Sequence, residues 1–171
     1  MHFGYAADMK RFLLSALLLP FLVSVAGAQS TLFLVRHAEA AGDTSGGKNP
    51  DLSEAGRARA ERLATVLKDA GIAAVFTTEF ARTQGTAAPL ARAAGVELTV
   101  VPAADSTRTL VAKLKEQGRN ALVVGHSNTL PEIIKALGVS TPVKIEGSDF
   151  DQLFVVVPIG SEPRLIQLRI P

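Results

Sequence analysis

The chain has 171 residues, a formal net charge of +2 and only three histidines, and it contains no cysteine. A charge so close to neutral argues against nucleic acid or an anionic membrane surface as a general partner. The lack of cysteine excludes disulfides, thiolate metal sites and a lipid-modified cysteine.

Residues 1–28 read as a secretory leader. Met9-Lys10-Arg11 is a positive start, Phe12 to Val25 is apolar apart from Ser15, Pro20 and Ser24, and Ala26-Gly27-Ala28 supplies the small-x-small cleavage pattern. The residues before Met9 add nothing to such a leader, which makes Met9 an alternative start. The apolar run is shorter than the ~20 residues a membrane span needs, holds a proline and lacks a basic stop. Export to the periplasm or the extracellular space is therefore expected, without stable membrane insertion after cleavage. Removing the leader takes away Asp8, Lys10 and Arg11, so 29–171 stays near neutral, and its size suits a single domain with one good core.

Thr31 to Val35 is a continuous apolar run, as expected of a strand buried on both faces. Ala41 to Pro50 is rich in Gly, Ser and Asn and predicts a loop. From Ser53 the pattern SEAGRARAERLATVLKDAG puts Ala60, Leu63, Ala64 and Leu67 on one face, which predicts an amphipathic helix with Ser53 as N-cap and Gly71 as stop. Ala73 to Phe76 predicts a second strand and Glu79 to Ala94 a second helix, kinked or split at Pro89. A strand over 96–101, a helix over 107–117, a strand over 121–124 and a helix from about Asn128 to Leu137 follow. Leu153 to Val157 and Leu165 to Ile170 read as a closing pair of strands around Pro158-Ile159-Gly160. Strands alternating with helices predict a three-layer α/β/α sandwich with a mostly parallel six-stranded sheet.

Two segments compete as a phosphate site. Gly42 to Lys48, GDTSGGK, spells the G-x-x-x-x-G-K of a P-loop. However, Asn49 stands where a Ser or Thr would hold magnesium, and Pro50-Asp51-Leu52 intervenes before the helix whose amides would face the phosphates. The segment therefore reads as a surface loop. The histidines give the sharper signal: LFLVRHAE and LVVGHSN place His37 and His126 just past the carboxyl ends of two predicted strands, where open α/β sheets bind ligands. Arg36 adjoins His37, and Arg82 in FTTEFARTQGTA falls about one turn into a helix on the same rim.

Two guanidiniums beside two imidazoles suit phosphoryl chemistry. Guanidinium forks match phosphate oxygens and stay positive, and nearby positive charge keeps imidazole neutral, with a lone pair free to attack phosphorus. A metal reading starts from His37-Ala38-Glu39, the H-x-E of zinc deaminases, but that chemistry needs a later P-C-x-x-C, and arginines would repel the cation. No metal or other cofactor is expected.

The ordered motifs strand-RHAE, the Ser53-Glu54-Ala55-Gly56 helix start, TTEFARTQGTA and VVGHSN resemble the histidine phosphatase superfamily, which also contains phosphoglycerate mutases. The resemblance implies a phosphoglycerate mutase-like fold, a covalent phosphohistidine on His37, and Arg36, Arg82 and His126 around the phosphoryl group. Separately, the amides at the start of the helix from about Asn128 suit a further anion site, which makes Asn128 a substrate-binding candidate. It departs from the family's pattern in two places: only Pro102-Ala103-Ala104 separates the third strand from Asp105, and Ser127 follows the second histidine. Asp105 is the first candidate for the acid that protonates the leaving group, its alternative being a cap for the next helix. Glu39 and Glu79 are weaker candidates, and Glu79 also suits a helix's first turn. The resulting expectation is an exported, metal-independent phosphomonoesterase acting on small or exposed phosphate esters. The alternatives are a non-catalytic phosphate-binding or interaction module and, further off, a phosphohistidine phosphatase or a mutase.

Overall fold

The computed structural model describes residue 1 and residues 30–42, 49–159 and 162–170. The expected leader and most of the GDTSGGK segment lie outside the described residues. Among the described residues, no helix is long and apolar enough to cross a membrane.

Six strands form one sheet: β1 (Leu32–Arg36), β2 (Ala74–Thr77), β3 (Leu98–Val100), β4 (Ala121–Gly125), β5 (Gln152–Ile159) and β6 (Glu162–Arg169). Their spatial order is β3-β2-β4-β1-β5-β6, with β3, β2, β4 and β1 parallel, β5 antiparallel to β1, and β6 antiparallel to β5. The helices are α1 (Glu54–Leu67), α2 (Ala81–Ala94), α3 (Val111–Gln117) and α4 (Leu130–Ala136). The expected three-layer, mostly parallel architecture is the one observed.

The layers follow from strand periodicity. In β4, Ala121 and Val123 face a core that includes Leu110, Leu114, Leu130, Ile133 and Ile134, whereas Leu122 and Val124 face Leu63, Leu67, Ala87 and Leu90. Leu34, Leu90, Leu122 and Leu130 are fully buried, and each such side chain contributes about 1.5–3 kcal/mol by leaving water. The sheet is thus clamped between α1 and α2 on one face and α3 and α4 on the other. The carboxyl ends of β1, β2 and β4 consequently open on one rim.

Ser53 caps α1 as expected, its hydroxyl accepting the Gly56 amide at 3.0 Å. Gly56 is also where α1 meets the residues after β1: a Cβ there would come within 2.1 Å of the Glu39 carbonyl oxygen, so a side chain at that position has no room. Other boundaries differ from the expectation. Helix α2 is not split at Pro89 but runs on to Ala94, and the residue one turn back, whose carbonyl the ring would crowd, is Gly85. The helix expected over 107–117 instead begins with a 3₁₀ turn at Ala103–Asp105 and a π turn at Ser106–Leu110, and only Val111–Gln117 is α-helical. The closing pair is a full hairpin of two eight-residue strands, longer than its apolar runs suggest. Between Ala136 and Gln152 the chain crosses the rim without regular structure, and it brings Glu146, Gly147, Asp149 and Phe150 to the site.

Candidate active site

β1 ends at Arg36, and the His37 amide continues the ladder to the Gly125 carbonyl at 2.9 Å, so His37 and His126 leave adjacent strands side by side. Their ring centroids are 5.3 Å apart, with an interplanar angle of 63°. Both residues are buried, 9% and 8% exposed respectively, at the bottom of the rim. The His37 Nδ1 lies 2.8 Å from the carbonyl oxygen of Ala38. A carbonyl only accepts, so Nδ1 carries the hydrogen and the lone pair of the neutral ring sits on Nε2.

The arginines are held by aromatic faces. The Arg36 guanidinium carbon stands 4.1 Å from the centroid of the Phe150 ring, and one terminal nitrogen donates to the carbonyls of Glu146 and Gly147 at 2.9 Å each. The Arg36 Nε is buried and has no partner. The Arg82 guanidinium carbon stands 4.4 Å from the centroid of Phe80. Neither arginine forms an ion pair among the described residues. A face-on aromatic support holds a guanidinium without a carboxylate, so its positive charge stays available to an anionic ligand.

The electrostatics follow from this crowding. Burial lowers the His37 pKa, Arg82 and Arg36 lower it further, and only the Ala38 carbonyl opposes them. His126 is pushed from 6.5 down to about 4, first by burial and then by His37 and Arg82, with Glu79 acting in the opposite direction. Both rings are therefore neutral near pH 7. Because folding depresses both pKa values, the unfolded chain binds more protons between the usual histidine pKa and about 4, and stability falls as pH drops through that window. The melting temperature is expected to be lower at about pH 4.5 than at about pH 7.5, and calorimetry should find the difference reduced in His126→Asn.

The carboxylates divide clearly. Glu39 is bound to Arg59, with contacts of 2.7, 3.0 and 3.1 Å, and its pKa is lowered chiefly by that hydrogen bonding. The H-x-E segment thus joins β1 to α1 and offers no free metal ligand at Glu39. Among the described residues, no group of three or more His, Cys, Asp or Glu is placed to hold a metal ion. Glu79 precedes α2 and accepts the Ala103 amide at 2.8 Å, so it ties the α2 start to the segment after β3 and does not sit in the helix's first turn. Asp105 is exposed on the 3₁₀ turn, makes no side-chain cap, and is not among the charges acting on either imidazole. Asn128 is exposed in the turn after His126. The amides of Thr129 and Leu130 donate to the His126 carbonyl at 3.2 and 3.0 Å, so the start of α4 does not leave them free for an anion.

Sequence reasoning brought Arg36, His37, Arg82 and His126 to one rim, and the structure places all four within electrostatic reach of one another. It overlooked Phe80, Phe150, Thr78 and Thr83. Phe80 and both threonines lay inside the TTEFART segment, next to a residue already singled out. No sequence signal marked Phe150, which arrives through the irregular crossing.

Among curated proteins, none matches the chain. The family model described as the histidine phosphatase superfamily (branch 1) matches residues 32–105, which include Arg36, His37 and Arg82 and stop short of His126. Solved structures with the same fold include the protein histidine phosphatase SixA in complex with tungstate, at 20% identity and a TM-score of 0.62, covering 81% of this chain and 96% of that one. The alpha-ribazole phosphatase from Shigella flexneri is similar at 16% identity and a TM-score of 0.62, covering 81% and 96%. A mycobacterial glucosyl-3-phosphoglycerate phosphatase follows at 16% identity and a TM-score of 0.62, covering 82% and 97%. The chain thus shares the phosphoglycerate mutase-like fold of these structures and matches the histidine phosphatase superfamily over its first three motifs.

Proposed function

We propose that the protein is an exported phosphomonoesterase that hydrolyses phosphate esters through a covalent phosphohistidine on His37. The observation that carries this reading is the His37 ring itself: its Nδ1 is tied to the Ala38 carbonyl, its Nε2 keeps the lone pair, and the ring feels two guanidiniums that have no ion-pair partners among the described residues. In the first half-reaction Nε2 attacks phosphorus and the alkoxide departs, taking up a proton. In the second, water attacks the phosphohistidine and releases inorganic phosphate and free His37. Arg36 and Arg82 supply the preorganised positive charge around the phosphoryl oxygens, and His126 stands beside them as a neutral ring. The leader pattern of residues 9–28 supports export, where a glycolytic mutase would meet neither its substrate nor its priming phosphate. Screening the mature protein against a panel of phosphate esters in the presence of chelator tests this reading. Turnover of at least one ester is expected, whereas binding of phosphate without any turnover would favour a non-catalytic module.

The proton donor for the leaving group is proposed to be Asp105, whose carboxylate stands on the rim segment after β3 and forms no ion pair. Asp105→Asn is then expected to slow alkyl phosphates steeply and a nitrophenyl ester only slightly, because nitrophenolate departs with little help from a proton. Steady-state rates on the two ester types provide the check. If neither rate changes, no acid acts from Asp105, and the natural substrates are those with good leaving groups.

A further inference from the structure

Thr78, the first residue after β2, carries a buried hydroxyl between His126 and α2. Its Oγ1 lies 3.1 Å from His126 Nε2 and 2.9 Å from Thr83 Oγ1. Thr83 is completely buried, and its own Oγ1 reaches the Phe80 carbonyl at 2.8 Å and the Thr78 carbonyl at 3.1 Å. A hydroxyl has one proton, and carbonyl oxygens only accept. With the Thr83 proton directed to the Phe80 carbonyl, Thr83 Oγ1 accepts from Thr78. The Thr78 proton is thereby committed, so Thr78 Oγ1 accepts in turn, and the donor is His126 Nε2–H.

We propose that Thr78, oriented by Thr83, is a positioning residue that holds His126 as the Nε2–H tautomer and leaves its Nδ1 as a hydrogen-bond acceptor. The charged and titratable groups acting on His126 are His37, Arg82, Glu79 and Arg36, and among the described residues only Thr78 hydrogen-bonds to its ring. His37 shows the complementary arrangement, with Nδ1 donating to Ala38 and Nε2 bare. The two rings therefore offer opposite nitrogens, each as a lone pair. A phosphate oxygen that retains its proton can donate to His126, and a bare one cannot. Thr78 thus decides whether His126 accepts or donates a proton. The kinetic consequence rests on the phosphatase reading, while the tautomer assignment does not.

The test is nitrogen-15 NMR of the histidine side chains at about pH 7, where a neutral ring reports its tautomer. It would be run on the native protein, Thr78→Val and Thr78→Ser, with His126→Asn to assign the signals. The native protein should show His126 with a slowly exchanging proton on Nε2. Thr78→Val should lose that protection, Thr78→Ser should keep it, and turnover of a nitrophenyl ester should fall in the valine variant by about tenfold to a hundredfold, the scale lost when an imidazole's orienting partner is removed. Rescue by serine separates the hydrogen bond from packing. A native His126 protonated on Nδ1, or a valine variant with its Nε2 proton still protected, would overturn the proposal. If Thr78→Val fails to fold, the native spectrum still decides the tautomer. A native protein without esterase activity would count against the phosphatase reading and leave the spectrum to judge this one.

Discussion

Replacing His37 with alanine is expected to lower turnover by about a thousandfold or more while the fold survives, the scale seen when a covalent catalyst is removed. The ring contributes little that the fold depends on. Its one hydrogen bond is to the carbonyl of the very next residue, and its aromatic neighbours are His126 and Phe150 on the rim, outside the two large apolar cores. Circular dichroism and thermal melting should therefore stay close to native while steady-state turnover of a nitrophenyl ester collapses. Retention of activity to within about tenfold, a barrier change of about 1.4 kcal/mol, would place the nucleophile elsewhere.

Arg82→Ala is expected to cost a hundredfold to a thousandfold in kcat/KM, on the order of the loss when one preorganised donor to a developing anion is removed. The Arg82 guanidinium lies on the Phe80 ring and forms no ion pair or hydrogen bond among the described residues, so its positive charge is not already satisfied within the protein. Arg82→Lys should recover little, because an ammonium lacks the planar fork and stacks poorly on the ring. Arg36 is a less clean probe. Its removal would also release the Glu146 and Gly147 carbonyls, and with them the crossing that carries Phe150. Parallel melting curves distinguish the two: Arg82→Ala should leave the melting temperature nearly unchanged, and Arg36→Ala should lower it. An Arg82→Ala variant as active as the native protein would show that this guanidinium does not face the phosphoryl group.

Much of this was legible in the sequence because the sheet is built from short apolar runs separated by well-capped helices. The Ser53 cap, the apolar stripe of α1 and the β4 run ALVVG are local signals, and local physics decides them. The same locality exposed His37 and His126, since each stands one residue past the end of a strand. What the sequence concealed depends on distant residues. The π turn at Ser106–Leu110 occupies a stretch whose periodicity reads as an ordinary helix. Pro89 reads as a kink or a split, yet α2 continues through it as one helix, packed on α1 by Ala87, Leu90 and Ala91. Phe150 reaches the site through a crossing with no periodicity at all, and the lowered pKa of His126 arises from burial together with positive charges drawn from two separate segments, Arg36-His37 and the start of α2.

The central claim is a bond between phosphorus and His37, and rapid quenching of the native protein with phosphorus-labelled ester tests it most directly. The account predicts a phosphoryl group that survives alkali, is lost in acid, maps to the peptide containing His37 and is absent from His37→Ala. Label on a serine, or full turnover with no covalent label at any quench time, would contradict it.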